Sequence, residues 1–347
     1  MIATIQRLLK QHPYIFTFIL LVVAVLVNRY LQENLLTLTV LNRTFRVMFP
    51  TMLLVAGQTL VVLGGGIDLS IGTMMLMINS ILVSVITSGA TGLDFVGVVF
   101  LALGSGILAG AFNGFCVAYL RLQPIVTTYA TGFVFAGIAL HILPRPGGDI
   151  PRDWSRLYQS PQQLLFVEWP FTVYMIILLV LFWLLLRSTR YAQYLYATGS
   201  NAQAAYTTGV PVVTIRFSTY VWAGIFAGLA AIARTLLTGS ANASAAMSDG
   251  GTLTLTTITA VVLGGTRLSG GYGGVIGSIL GVALLTTIRT IISFANISSW
   301  YQDLVDAVII IAALAGPGFV RLIRMTIDSL WTRWKASRPE TESGVTI

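Results

Sequence analysis

Val61-Val62-Leu63-Gly64-Gly65-Gly66-Ile67-Asp68-Leu69-Ser70-Ile71-Gly72 is the stretch on which the reading of this chain turns. It lies in an apolar run from Val47 to Thr87 in which Asp68 is the only charged residue. A carboxylate at the centre of a membrane helix costs roughly 2.5–3.5 kcal/mol on insertion scales, so it needs a partner or a wet cavity. Three consecutive glycines have poor helix propensity and admit dihedrals that other residues avoid. The stretch therefore predicts a helix that breaks near the membrane interior and turns Asp68 towards protein or water. Irregular backbone at that depth persists only where it is buried or lines a cavity. A tight turn between two spans, with Asp68 capping the second helix through its N-terminal amides, is the other reading, and the two are compatible.

The surrounding composition supports a membrane environment. Of 347 residues, 56% are hydrophobic and 9% charged, and the mean hydropathy is +0.84. A soluble domain carries about 25% charged residues, so this is an all-α polytopic membrane protein, read as one domain over 1–347. The net charge of +8 does not indicate nucleic acid, because no polar segment shows a basic stripe interleaved with aromatics. Cys116 stands alone in an apolar stretch and reads as packing. His12 and His141 are far apart and belong to no Cys/His cluster, so neither a metal nor a cofactor is expected.

Outward from the glycines, about ten apolar segments are expected, some of them broken or re-entrant. The first, Tyr14 to Val27, follows Arg7 and Lys10 and reads as a retained anchor. A polar connector runs to Arg46, and further segments fall at about 47–66, 68–88, 93–119, 125–143, 170–186, 213–237, 253–265, 273–295 and 304–323. The segment 253–265 is short and reads as half-buried or re-entrant. Arg121, Arg187, Arg190, Arg216, Arg267, Arg321 and Arg324 fall on the side of the N-terminus, with the tail residues Arg333, Lys335 and Arg338. The opposite side has Arg29, Arg43, Arg46, Arg145, Arg152 and Arg156, partly balanced by acids. This bias places both termini (1–13 and 324–347) and the loop 187–212 in the cytoplasm, and 144–169 outside.

The opening stretch has an echo. Val61-Val62-Leu63-Gly64-Gly65 recurs as Val261-Val262-Leu263-Gly264-Gly265, with Leu69-Ser70 matched by Leu268-Ser269. Both copies are expected to run the same way through the membrane. Arg267 stands near the place of Asp68, one residue out of register. Interrupted apolar segments at corresponding positions in two halves point to a transport pathway. Gly65, Gly66, Asp68, Ser70, Asn113, Gly264, Gly265 and Ser269 are accordingly the candidate pathway or break residues. Asn113 reads first as interhelical glue. Small residues at three- and four-residue spacing, among them Gly104, Gly106, Gly110, Gly224, Gly228, Gly277 and Gly281, are expected to let backbones approach.

In the loop 187–212, Ser200 or Asn201 can cap a short helix through Ala204-Ala205 that Gly209 and Pro211 stop. Such an element suits docking better than linking.

Gly65-Gly66-Ile67-Asp68-Leu69-Ser70-Ile71-Gly72, Asn113-Gly114, Tyr196-Ala197-Thr198-Gly199-Ser200-Asn201 with Ala204-Ala205 and Gly209-Val210, and the stretch Ala260 to Gly271 together resemble the ribose-type permeases of ATP-binding-cassette importers. The resemblance runs in order from about Thr51 to Gly316. It implies a bacterial inner-membrane subunit, working as a pair with a second copy or a related permease. It further implies a cytoplasmic ATP-binding subunit, a periplasmic sugar-binding protein and a monosaccharide cargo. By the same resemblance, Gly199, Ser200, Asn201, Ala204, Ala205 and Gly209 contact the ATPase. No residue takes a catalytic role, and no Gly-x-x-x-x-Gly-Lys-Ser/Thr stretch occurs in the chain. The chain departs from the family pattern twice: Thr254-Leu255-Thr256 stands where Glu-Leu-Asp is common, and Ala192-Gln193 where Gly-Arg is usual. Three alternatives stay open: a secondary transporter of a small polar solute, an importer permease for a nucleoside or sugar-like signal molecule, and an intramembrane enzyme. The last lacks a convergent nucleophile, base or metal set.

Overall fold

The computed structural model describes residues 14–164 and 167–295, with scattered positions from 298 to 311. The chain divides into two units, Met1–Ile297 and Ser298–Ile347, and the elements below belong to the first. They are α1 (Tyr14–Leu31), α2 (Leu38–Leu63), α3 (Ile71–Val85), α4 (Gly92–Gly114, continued by a π-helical turn Phe115–Tyr119) and α5 (Pro124–Ile142). A short helix α6 (Arg152–Gln159) and an antiparallel hairpin, β1 (Pro161–Leu164) with β2 (Val167–Pro170), precede α7 (Phe171–Arg187). Then come α8 (Arg190–Ser200), α9 (Ala202–Thr207), α10 (Val212–Thr238), α11 (Ala246–Leu263) and α12 (Val275–Phe294).

Helix α10 is the hub, packing against α2, α3 and α4. Its contact with α4 is backbone against backbone. A Cβ on Gly106 would overlap the Gly224 carbonyl, one on Gly224 the Gly106 carbonyl, and one on Gly110 the Tyr220 carbonyl. Without a hydrophobic driving force in lipid, contact of this kind is what holds spans together. Gly104 does not share that face; a Cβ there meets nothing within 4 Å. At the other edge, α12 runs antiparallel to α11, with Gly277 against Gly264 and Gly281 against Ala260. The Thr17 hydroxyl of α1 donates to the Leu263 carbonyl.

The expected count of about ten spans is not reached among the described residues. Among the described residues six helices are long and apolar enough to cross a membrane, or seven if α7 and α8, bent by 78°, form one span. Segment 68–88 is α3, only 15 residues long. Segment 253–265 is the end of α11, whose first turns carry Ser248, Asp249 and Thr252. Segment 304–323 lies outside the described residues except for isolated positions. The connector before Arg46 is helix from Leu38 on, because its polar residues find partners: Asn42 Nδ2 and Arg46 Nη1 donate to the Gln159 carbonyl at 2.6 and 3.3 Å. Likewise 187–200, read as loop, is mostly helix α8.

Candidate functional site

Helix α2 ends at Leu63 in a turn that uses the glycines. Gly65 has φ +81°, the left-handed region that suits glycine. Gly65 N–H donates to the Val62 carbonyl and Gly66 N–H to the Val61 carbonyl, at 2.9 and 3.0 Å, which closes the helix end. The chain then folds back on α2: a Cβ on Gly57, six residues before Leu63, would lie 3.2 Å from Ile71 Cδ1. At 1.5 Å per residue, α3 therefore starts about 9 Å inside the bundle from the end of α2. The helix break predicted from the sequence at the glycines is present.

Asp68 sits in this break, fully buried. Its Oδ1 accepts Ser70 N–H at 2.8 Å and Ser70 Oγ–H at 2.6 Å, and Asn113 Nδ2 on α4 donates to Ser70 Oγ at 2.8 Å. Asn113 thus ties α4 to the break. The N-cap position of α3 is Ser70, whose side chain makes no capping bond, and Asp68, two residues earlier, takes the Ser70 N–H. The orphan amide at Gly72 is taken by Thr254 Oγ1 from α11 at 3.0 Å, and Leu69 N–H by Thr128 Oγ1 from α5 at 2.9 Å. The departure at Thr254 therefore has a structural use: a hydroxyl caps a half-helix. Thr256 accepts from Arg289 Nη2 on α12 at 3.1 Å.

Two of the polar residues here, Gln58 and Tyr220, escaped the sequence reading. Asp68 Oδ2, Asn113 Oδ1, the Tyr220 hydroxyl and both polar side-chain atoms of Gln58 are buried with no hydrogen-bond partner among the described residues. Each such group costs about 1–3 kcal/mol to leave unpaired. Arg289 and Arg234 lie within α12 and α10, and charges inside spans are a signal that could have singled them out.

The second glycine turn lies at the same end of the bundle. Gly271 N–H donates to the Leu63 carbonyl at 3.0 Å, joining the loop after α11 to the end of α2. Between them comes Gly199, at the end of α8: a Cβ there would overlap the Leu63 carbonyl and lie 2.6 Å from Gly271 N. The site residues therefore fall into two groups. Gly65, Gly66, Asp68, Ser70 and Asn113 form the break, whereas Gly199 and Ser200 join Gly264 and Gly265 through the loop that follows them. Ser269 is exposed and takes no part in the buried cluster.

From the Gly199 junction the chain continues into α9. Asn201 Oδ1 accepts Ala204 N–H at 3.0 Å, so Asn201 and not Ser200 is the cap. Gly209, with φ +84°, ends the turn. Ala204 is exposed, but Ala205 is 4% exposed and faces the protein. The two alanines are not equivalent.

A bundle of apolar helices containing a half-helix, with a buried acid at its start and a capped short helix at the end of the bundle, is the architecture of a multi-pass membrane protein. Residues 40–314 match the family model described as the permease component of the branched-chain amino acid transport system, and the chain belongs to that family. It is 31% identical to the ribose import permease protein of Bacillus subtilis (strain 168) over 88% of this chain and 91% of that one. The galactofuranose transporter permease protein of Escherichia coli (strain K12) is 32% identical over 79% of each chain. The autoinducer 2 import system permease protein of Escherichia coli O9:H4 (strain HS) is 32% identical over 84% of this chain and 83% of that one. No solved structure matches the chain.

Proposed function

We propose that this protein is the membrane-spanning permease of an ATP-driven importer, passing a monosaccharide delivered by a periplasmic binding protein across the bacterial inner membrane. The observation that carries the reading is the contact of Gly199 with Leu63 and Gly271. It sets the end of α8, just before the capped helix α9, against the end of α2 and the loop after α11, and the turn after α2 leads to Asp68. A push on α9 by a cytoplasmic ATP-binding subunit would reach the break through backbone, without a flexible side chain between. ATP hydrolysis belongs to that partner, and a second permease, identical or related, completes the pathway. Both termini and 187–212 face the cytoplasm in this reading, and 144–169 faces outward. A sugar-like signal molecule is the second cargo to test, supported by the autoinducer 2 permease among the relatives.

The test is uptake into vesicles containing the chain with its ATPase and binding protein, against a panel of monosaccharides and the signal molecule. Ala204→Trp places bulk on the exposed side of α9 and should abolish coupling, leaving the membrane bundle folded. Binding-protein-stimulated ATP hydrolysis and co-purification of the ATPase that both stay at wild-type level would remove α9 from the coupling role.

A further inference from the structure

Beside the break, at the end of the bundle where Leu63 and Gly271 meet, lies a cavity of about 370 Å³. Its walls are the Gly64–Gly66 turn, the π-helical turn of α4 with the loop that follows, and the first turns of α10. Arg121 and Arg216 line it, and no carboxylate does. Neither guanidinium is hydrogen-bonded or ion-paired among the described residues. Tyr220 closes the inner end: it is 1% exposed and its hydroxyl has no partner among the described residues. Leu122 and Val213 on the rim are exposed and apolar.

We propose that this cavity binds a phosphate group, supplied by the headgroup of an anionic phospholipid. Guanidinium forks match phosphate oxygens, and Arg121 and Arg216 present two of them to the cavity. Basic pockets between spans at the charged end of a bundle suit anionic headgroups, while the apolar rim meets the acyl chains. A free phosphate would satisfy the same donors but leave the rim unused.

The occupant would touch the break. The Gly64–Gly66 turn forms part of its wall, and Tyr220 Oη lies 2.6 Å from where a Gly66 Cβ would stand. The lipid is thus set to steady the turn after α2. Arg121 reaches the cavity from a backbone at φ +56°, a conformation Asn adopts more readily than other charged or apolar residues. Arg121→Asn therefore removes the charge while suiting the turn.

The experiment uses the full chain purified from a mixture of phosphatidylglycerol and phosphatidylcholine, with bound lipid counted by native mass spectrometry. A separate arm titrates inorganic phosphate by phosphorus NMR. The expected result is preferential retention of phosphatidylglycerol, cut roughly tenfold or more in Arg121→Asn/Arg216→Gln, as the loss of charge-assisted hydrogen bonds implies. Arg121→Lys/Arg216→Lys, which keeps both charges, should retain most of the preference and controls for the fold. Phosphate binding with equal retention of the two lipids would keep the phosphate site and overturn the lipid as its source. Equal retention in the wild type together with no phosphate binding would overturn the proposal. Neither arm uses transport, so the outcome is independent of the importer reading.

Discussion

After Leu63 and after Leu263 the chain makes the same turn. Gly65 and Gly265 have φ of +81° and +82°, and each donates its N–H at 2.9 Å to the residue three before it, Val62 or Val262. Gly66 and Thr266 then bond back to Val61 and Val261. From that point the copies diverge. Gly66 lets the Tyr220 hydroxyl come close, whereas Thr266 keeps a side chain whose Oγ1 accepts Gly274 N–H at 3.1 Å and closes its own loop. The first turn carries Asp68 and Ser70 into the bundle; the second leaves Arg267 and Ser269 exposed. A repeated motif thus fixes a backbone shape, and the helices around it decide whether its polar residues are buried.

The junction between the two turns should give the largest effect. Gly199→Val would drive side-chain atoms into the Leu63 carbonyl and the Gly271 amide, and backbone cannot move aside cheaply. Overpacking of this kind costs about 1–3 kcal/mol or more. Loss of folded protein from the membrane, read by detergent-resistant fluorescence of a fusion, is the expected outcome. Gly209→Ala, also at positive φ but with open space around it, should cost only about 1–2 kcal/mol and leave protein levels near normal. Equal tolerance of both would mean that the two turns are not joined through Gly199.

Asp68→Asn separates charge from shape. The amide oxygen can still accept from Ser70 N–H and Oγ–H, so the shape of the break is kept while the buried charge is removed. Stability should therefore hold or rise slightly. Uptake should fall by roughly tenfold or more if the carboxylate serves the cycle, the size of a charged hydrogen bond's contribution. Wild-type uptake would leave Asp68 a purely structural residue.

Gly65→Ala and Gly265→Ala test the equivalence of the backbones. Both force an L side chain to positive φ, at about 1–2 kcal/mol. Matching drops in melting temperature are expected, and a difference well beyond that range would show that one turn has a second constraint.

Much of this arrangement was legible in the chain. Isolation of Asp68 behind three glycines announced a break, and the repeated Val-Val-Leu-Gly-Gly announced its copy, because both features depend on local backbone preference. The Asn201 cap was legible for the same reason. What the sequence hid depends on tertiary contact. Helix α2 extends back to Leu38 because α6 satisfies Asn42 and Arg46. Thr254 reads as a lost acid until Gly72 is seen against it. The opposite orientations of Ala204 and Ala205, one residue apart, follow from how α9 lies on the protein, which no pattern over six residues can fix. Tyr220 is one aromatic among thirteen tyrosines until the break is folded over its hydroxyl.

The smallest effect is expected at Arg267, the residue nearest in sequence register to Asp68. Its guanidinium lies 4.4 Å from the centre of the Tyr272 ring, within the same loop, and the residue is exposed. A cation–π contact at an exposed site contributes about 0.5–1 kcal/mol, so Arg267→Gln should lower the melting temperature only slightly. The Arg267 backbone N–H, bonded to the Tyr272 carbonyl at 3.1 Å, is untouched by the substitution, so the loop that carries Gly271 to Leu63 keeps its path. Uptake within twofold of wild type is expected, beside the large loss in Asp68→Asn. If Arg267→Gln instead abolished uptake with the protein still folded, the second turn would hold a functional charge of its own. The two copies would then be a pair of opposite charges serving the cycle, and the contrast between a buried functional turn and an exposed structural one would fail.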